Sequence, residues 1–155
     1  MVIYFIIAVL IVVFDQISKI LIEHSFELGQ QKILINKILS FIYVRNEGAA
    51  FGIFQGARVF FIILTIVIFV GGYFYLRKNP LSSPFEKCGV SFIAGGAVGN
   101  FIDRVFLGYV RDFISADFID FPVFNVADCF VCVGAFLFVL TVLITEKSKE
   151  KFCDG

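Results

Sequence analysis

The chain has 155 residues, 59% of them hydrophobic, with a mean hydropathy of +0.95; a soluble domain holds about half apolar residues even with glycine counted. Thirteen Lys and Arg balance thirteen Asp and Glu, so nothing in the charge points to nucleic acid. The length fits a single domain over residues 1–155, and the composition makes it an integral membrane protein.

Crossing a hydrocarbon core takes about 20 apolar residues, and four segments qualify. The first, at 2–22, is broken by Asp15 and Lys19. No Lys or Arg precedes it and no small-residue cleavage site follows it, so a retained span is expected. Asp15 and Lys19 are four apart and share a helical face. They form either a neutralised ion pair or a pair that shapes a site or meets a lipid headgroup.

The segment 23–57 carries KILINKIL and then SFIYVRN. The second stretch alternates, with Phe41, Tyr43 and Arg45 on one face, and a turn falls near Asn36 and Lys37. A small sheet on the membrane surface is expected between spans one and two. The second span, 58–76, is uncharged after Arg58, and RKNPLSSPFEK (77–87) is a polar loop.

The third span, 88–107, is the least apolar, interrupted by Asn100, Asp103 and Arg104. Gly95 and Gly99 have the GxxxG spacing that lets helices approach closely. Gly96, Asn100 and then Asp103 or Arg104 follow at spacings of three and four. Such polar stripes face a protein interior or a water-filled cavity. The fourth span, 124–145, has Asp128 near its start, where a charge at the centre of a span costs roughly 2.5–3.5 kcal/mol. Asn125 is placed to N-cap this helix with Asp128 reaching back.

The loop 77–87 and the tail 146–155 hold Arg77, Lys78, Lys87, Lys147, Lys149 and Lys151. The positive-inside rule puts them, and both termini, in the cytoplasm. Segments 23–57 and 108–123 then face outward. The loop 108–123 begins and ends on one side of the membrane, returning Asp112 and Asp128 to similar depth. Asp117 and Asp120 read as solvated loop carboxylates.

The cysteines of CFVC (129–132) read as small hydrophobes in an apolar run, with no disulfide framework. His24, the single histidine, cannot hold a metal alone, and no nucleophilic triad is recognisable. Two close carboxylates with Asn100 and Asn125 beside them could share one proton and activate water. A proton-coupled transporter, or a non-catalytic scaffold built on the glycine face, remains open on these features alone.

DQISK (15–19), NEGAAFG (46–52), GGAVGNFIDR (95–104), VRDFI (110–114) and FNVAD (124–128), in this order over nearly the whole chain, resemble the bacterial lipoprotein signal peptidases (signal peptidase II). The resemblance implies an all-α membrane fold of four transmembrane helices with a small extracytoplasmic β-sheet. It implies an aspartic endopeptidase that removes signal peptides from diacylglyceryl-modified prolipoproteins, cutting just before the lipidated cysteine. Asp112 and Asp128 match the catalytic pair. Asn100, Arg104 and Asn125 match polar residues lining the site; Asp15 and Lys19 match the pair in the first span, and Asn46 the asparagine of the outer segment. With Gly96 from the polar stripe, these form the expected site. No cofactor or metal is expected, the partners being prolipoprotein substrates and membrane lipid, and the chain is expected to act as a monomer in the bacterial inner membrane with its site near the outer face. Glu47 departs from the small residue expected at its position.

Overall fold

A computed structural model describes residues 2–49 and 53–153, with side chains to residue 144. Ala50, Phe51 and Gly52, the end of the NEGAAFG stretch, lie outside the described residues. The elements run α1 (Val2–Ser25), β1 (Gln31–Ile35), β2 (Leu39–Asn46), α2 (Arg58–Lys78), α3 (Pro84–Phe106), β3 (Val110–Ala116) and α4 (Val126–Cys153). Three of the four helices, α1, α2 and α4 up to Ile144, are long and apolar enough to cross a membrane.

Helix α1 is amphipathic in the inverse sense of a soluble helix. Its buried residues are Ile11, Asp15, Lys19 and Ile22, spaced along one helical stripe, so the inward face carries the charges. Phe5, Leu10, Phe14 and Leu21 face outward and exposed. Lipid accepts such side chains, whereas charged groups need protein partners.

Helix α3 holds the bundle together, packing against α1, α2 and α4. It starts at Pro84, four residues before the expected span. Ser83 and Glu86 form a capping box there, with Pro84 in the first turn, and Glu86 accepts from the Ser82 and Ser83 backbone N–H groups at 2.9 and 3.2 Å. The box turns the end of the expected polar loop into helix. Glycine then allows close packing. A Cβ on Gly95 would meet Ala8 O and Ile11 of α1 at 2.9 Å, and one on Gly89 would meet Gly134 O of α4 at 2.8 Å. Helix α2 is peripheral, with none of its residues buried. At its start Arg58 donates to the carbonyls of Arg104 and Val105, both at 2.7 Å, satisfying the open end of α3.

The sheet has three antiparallel strands in the order β1-β2-β3. Its hairpin turns at residues 36–38 with Lys37 at φ 59°, where the turn was expected. Two features differ from the sequence reading. The segment 108–123 is not merely a loop: β3 pairs with β2, Asp112 opposite Val44 and Arg111 opposite Arg45. The register also shifts between Phe41 and Val44, which interrupts the simple alternation expected for β2. Ile22, Tyr43 and Phe113 form the core under the sheet, with Phe26, Phe41, Ile114 and Val126 against them.

The Gly89 contact is backbone to backbone, so a larger side chain cannot be accommodated by a rotamer change. Gly89→Leu is expected to destabilise the bundle by about 1–3 kcal/mol, seen as a lower Tm in detergent. Gly71→Ala, at a position on α2 with nothing within 4 Å of the new Cβ, should leave Tm unchanged or raise it.

Candidate active site

Four buried ionic groups lie where the sheet meets the helices. Lys19 Nζ is 2.8 Å from Asp15 Oδ2 and 3.6 Å from Asp103 Oδ2, all three side chains fully buried. Asp103 Oδ1 pairs at 2.7 Å with Arg111 Nη2. Its Oδ2 accepts from the Arg111 backbone N–H at 3.0 Å and from Nε at 3.2 Å. Arg111 also reaches Glu23 of α1 at 2.9 Å and Gln16 Oε1 at 3.0 Å. Asp15 Oδ1 accepts from the Ala127 backbone N–H at 2.9 Å, so an α1 carboxylate caps the first turn of α4. Among the described residues, no buried side-chain polar atom lacks a partner.

This cluster anchors β3 through Arg111, and the next residue, Asp112, lies against a separate group of amides. Asp112 Oδ1 accepts from Asn125 Nδ2 at 2.6 Å and Oδ2 from Asn46 Nδ2 at 2.8 Å. Asp128 Oδ1 accepts from Asn100 Nδ2 at 2.7 Å. Its Oδ2 accepts from the Asn125 backbone N–H at 3.1 Å, while Asn125 Oδ1 accepts from the Asp128 N–H at 3.0 Å. That reciprocal pair is the capping arrangement expected at the start of the fourth span. The chain returns to make it because Phe124 pairs with Ile114 of β3.

Asp112 and Asp128 line one cavity of about 500 Å³ together with Asn46, Asn100, Arg104 and Cys129. Arg104 donates to Gly48 O at 3.1 Å and stacks 4.8 Å from the Phe61 ring centre. Burial, and next the negative charge of Asp128, push the Asp112 carboxyl up from 3.8 to about 7, against the hydrogen bonds from Asn46 and Asn125.

Of the residues expected at the site, Asn46, Asn100, Arg104, Asp112 and Asp128 are on the cavity wall. Asn125 is fully buried behind them. Asp15 and Lys19 sit one layer further back, joined to the cavity residues by the bond from Lys19 Nζ to Asn100 Oδ1 at 2.9 Å. Gly96 does not face the cavity: a Cβ there would meet Val131 Cγ2 of α4 at 2.8 Å, so it serves helix approach. Glu47 is exposed. Asp117 is exposed and accepts from Ser40 and Ser115 at 2.9 Å. The sequence reading left Asp103 and Arg104 as alternatives on one stripe, and the structure separates them, Asp103 to the ionic cluster and Arg104 to the cavity. It also missed the structural weight of Arg111, whose only local signal is its place beside Asp112 in a short strand. Cys129 and Cys132 are free thiols, exposed on the cavity wall.

Helices apolar enough to span a membrane, joined to a sheet and a mostly apolar cavity that holds two carboxylates, define a polytopic membrane enzyme. The family described as signal peptidase (SPase) II matches residues 7–144. The lipoprotein signal peptidase of Enterococcus faecalis is 40% identical over 155 residues, covering 100% of this chain and 96% of that protein. That of Brevibacillus brevis is 42% identical over 147 residues, covering 95% and 99%. A bacterial membrane enzyme solved by the in meso method superposes with a TM-score of 0.88 at 36% identity, covering 94% of this chain and 90% of that one. A second such structure gives 0.82 at 37% identity, with coverages of 90% and 92%. The chain belongs to the signal peptidase II family, a family of aspartic peptidases.

Breaking a buried ion pair leaves the partner charge uncompensated, at about 3–5 kcal/mol. Arg111→Met is therefore expected to lower stability by that order in detergent unfolding, far more than Arg45→Met at an exposed β2 position. The carboxyl stretch of Asp112, followed by infrared titration, should show a midpoint near 7. Asp128→Asn removes the neighbouring negative charge and should move that midpoint down.

Proposed function

We propose that Asp112 and Asp128 are the catalytic pair of an intramembrane endopeptidase that removes the signal peptide from diacylglyceryl-modified prolipoproteins, cutting before the lipidated cysteine. The observation that carries this is the bridging of both carboxylates by one residue, Asn125, at 2.6 Å to Asp112 and 3.1 Å to Asp128, on the wall of a single cavity. The names and full-length identity of the relatives support the substrate class.

With Asp112 holding a proton and Asp128 ionised, the pair supplies an acid and a base side by side. Asp128 takes a proton from water as its oxygen attacks the scissile carbonyl carbon, and Asp112 gives its proton to the carbonyl oxygen. The diol that results collapses as the proton held by Asp128 passes to the cysteine nitrogen and the C–N bond breaks. The signal peptide leaves as a carboxylic acid and the lipidated cysteine as a free amine. A proton from the diol returns to Asp112. Arg104 adds a positive charge beside both carboxylates.

The remaining expectations follow from this reading. The chain lies in the bacterial cytoplasmic membrane with both termini in the cytoplasm, and the sheet end faces out, where the lipidated cysteine of a signal helix emerges. Lipid anchoring of the substrate lowers the entropic part of the barrier. Action as a monomer belongs to the same reading.

Asp112→Asn and Asp128→Asn are each expected to reduce cleavage of a lipidated prolipoprotein peptide by at least about 10²–10⁴-fold, the usual scale of acid–base catalysis, with unfolding temperature retained. Wild-type turnover in either variant overturns the reading. Because Asp112 works protonated, kcat should fall as pH rises through about 7; a profile flat from pH 6 to 9 counts against that assignment.

A further inference from the structure

Lys19 contacts neither carboxylate of the pair, yet it holds the one amide that connects them to α1. Its ammonium is fully buried and has three protons to donate and nothing with which to accept. Their acceptors are Asp15 Oδ2 at 2.8 Å and Asn100 Oδ1 at 2.9 Å, with Asp103 Oδ2 at 3.6 Å. Because the ammonium can only donate, the Asn100 amide must be turned with its oxygen toward Lys19. Its NH₂ is then obliged to face Asp128 Oδ1, at 2.7 Å, and that oxygen can only accept. The same Asn100 oxygen receives Asn125 Nδ2 at 3.1 Å, and Asn125 Nδ2 also donates to Asp112 Oδ1 at 2.6 Å. The donor direction at one ammonium is thus carried through two amides to both carboxylates.

We propose that Lys19 is a positioning residue that fixes the hydrogen-bond polarity of the catalytic pair through Asn100, turning an amide N–H toward Asp128 Oδ1 and, through Asn125, toward Asp112 Oδ1. This rests on the catalytic reading of Asp112 and Asp128. Turned over, Asn100 would present an oxygen to Asp128 and favour a protonated Asp128. Charge balance alone gives Lys19 a different task, neutralising Asp15, while Arg111 serves Asp103. The charged and titratable groups around the pair are Asp15 and Lys19 of α1, Asp103 and Arg104 of α3, Arg111 of β3 and Cys129 of α4, with Arg45, Glu47 and Asp120 lining the adjoining pocket beside Asp112, so a through-space effect of the ammonium has to be separated from the relay.

The test is a double-mutant cycle of Lys19→Met and Asn100→Ala in the full chain. The Lys19 corners keep Asp15 as the counterion of the ammonium; the Lys19→Met corners also carry Asp15→Asn, which keeps an acceptor for the Ala127 N–H and leaves no unpaired buried charge, and Asp15→Asn alone is measured beside them. Single-turnover cleavage of a lipidated prolipoprotein peptide is followed against pH, and thermal unfolding checks each corner. The expected result is a roughly tenfold fall in the single-turnover rate for Lys19→Met, within the range of couplings measured in shared hydrogen-bond networks. The substrate concentration at half-maximal rate should be unchanged, the pH midpoint displaced, and the whole effect lost once Asn100 is Ala. Lys19→Gln keeps a donor without the charge and should recover most of the loss. Independent effects of the two substitutions, equal losses in Gln and Met, or no effect of Lys19→Met would each overturn the relay. Cleavage surviving in Asp112→Asn or Asp128→Asn would instead overturn the catalytic reading beneath it.

Discussion

The structure depends on the buried pairing of Asp103 with Arg111. Asp103 belongs to the central helix and Arg111 to the third strand, and three hydrogen bonds join them, one from the strand backbone. An arginine fork fits a carboxylate in a fixed orientation, so the contact sets both the position and the rotation of β3 on the bundle. Lys19 and Asp15 extend the same cluster into α1, and Asp15 reaches across to the first turn of α4. Three helices and the sheet are thereby tied at one level. Buried ionic groups are weak sources of net stability; their consequence here is a definite geometry.

That geometry serves the neighbouring cavity. Asp112 follows Arg111 directly, so anchoring one residue of β3 places the other. Asp128 is placed by the helix start that Asn125 caps and Asp15 supports. The amides of Asn46, Asn100 and Asn125 then give each oxygen of both carboxylates one donor. A proton on the pair must find a remaining lone pair, which restricts where it can lie. Helix α2 takes little part in this framework. Its residues are all at least partly exposed, and Arg58 fastens its start to the end of α3.

Local pattern made some of this legible. The apolar runs gave α1, α2 and α4 because about 20 residues of lipid-compatible side chains admit little else; α3, the least apolar of the four, does not meet that measure and is held by its partners on both sides. Asp15 and Lys19 pair as their four-residue spacing requires. The hairpin turn at Lys37 and the Asn125–Asp128 cap also follow from short-range chemistry. The start of α3 was placed too late because Ser83 and Glu86 look polar in a hydropathy window, although together they begin a helix. The third strand was missed because seven residues of VRDFISA carry only a short alternation, and their partner strand is 64 or more positions earlier in the chain. The glycine stripe was recognised, but its division between α1 for Gly95 and α4 for Gly96 depends on which helix lies on each side.

The sequence by itself determined the membrane class, the helices, the hairpin and the motifs of the family, because periodicity, spacing and hydropathy act within a few turns of chain. Only the tertiary structure decided that β3 completes the sheet, that Asp103 turns to Arg111 while Arg104 turns to the cavity, and that Asp112 and Asp128 share its wall. Those outcomes rest on contacts between distant segments, and a buried charge takes the direction of whichever partner the packing brings near.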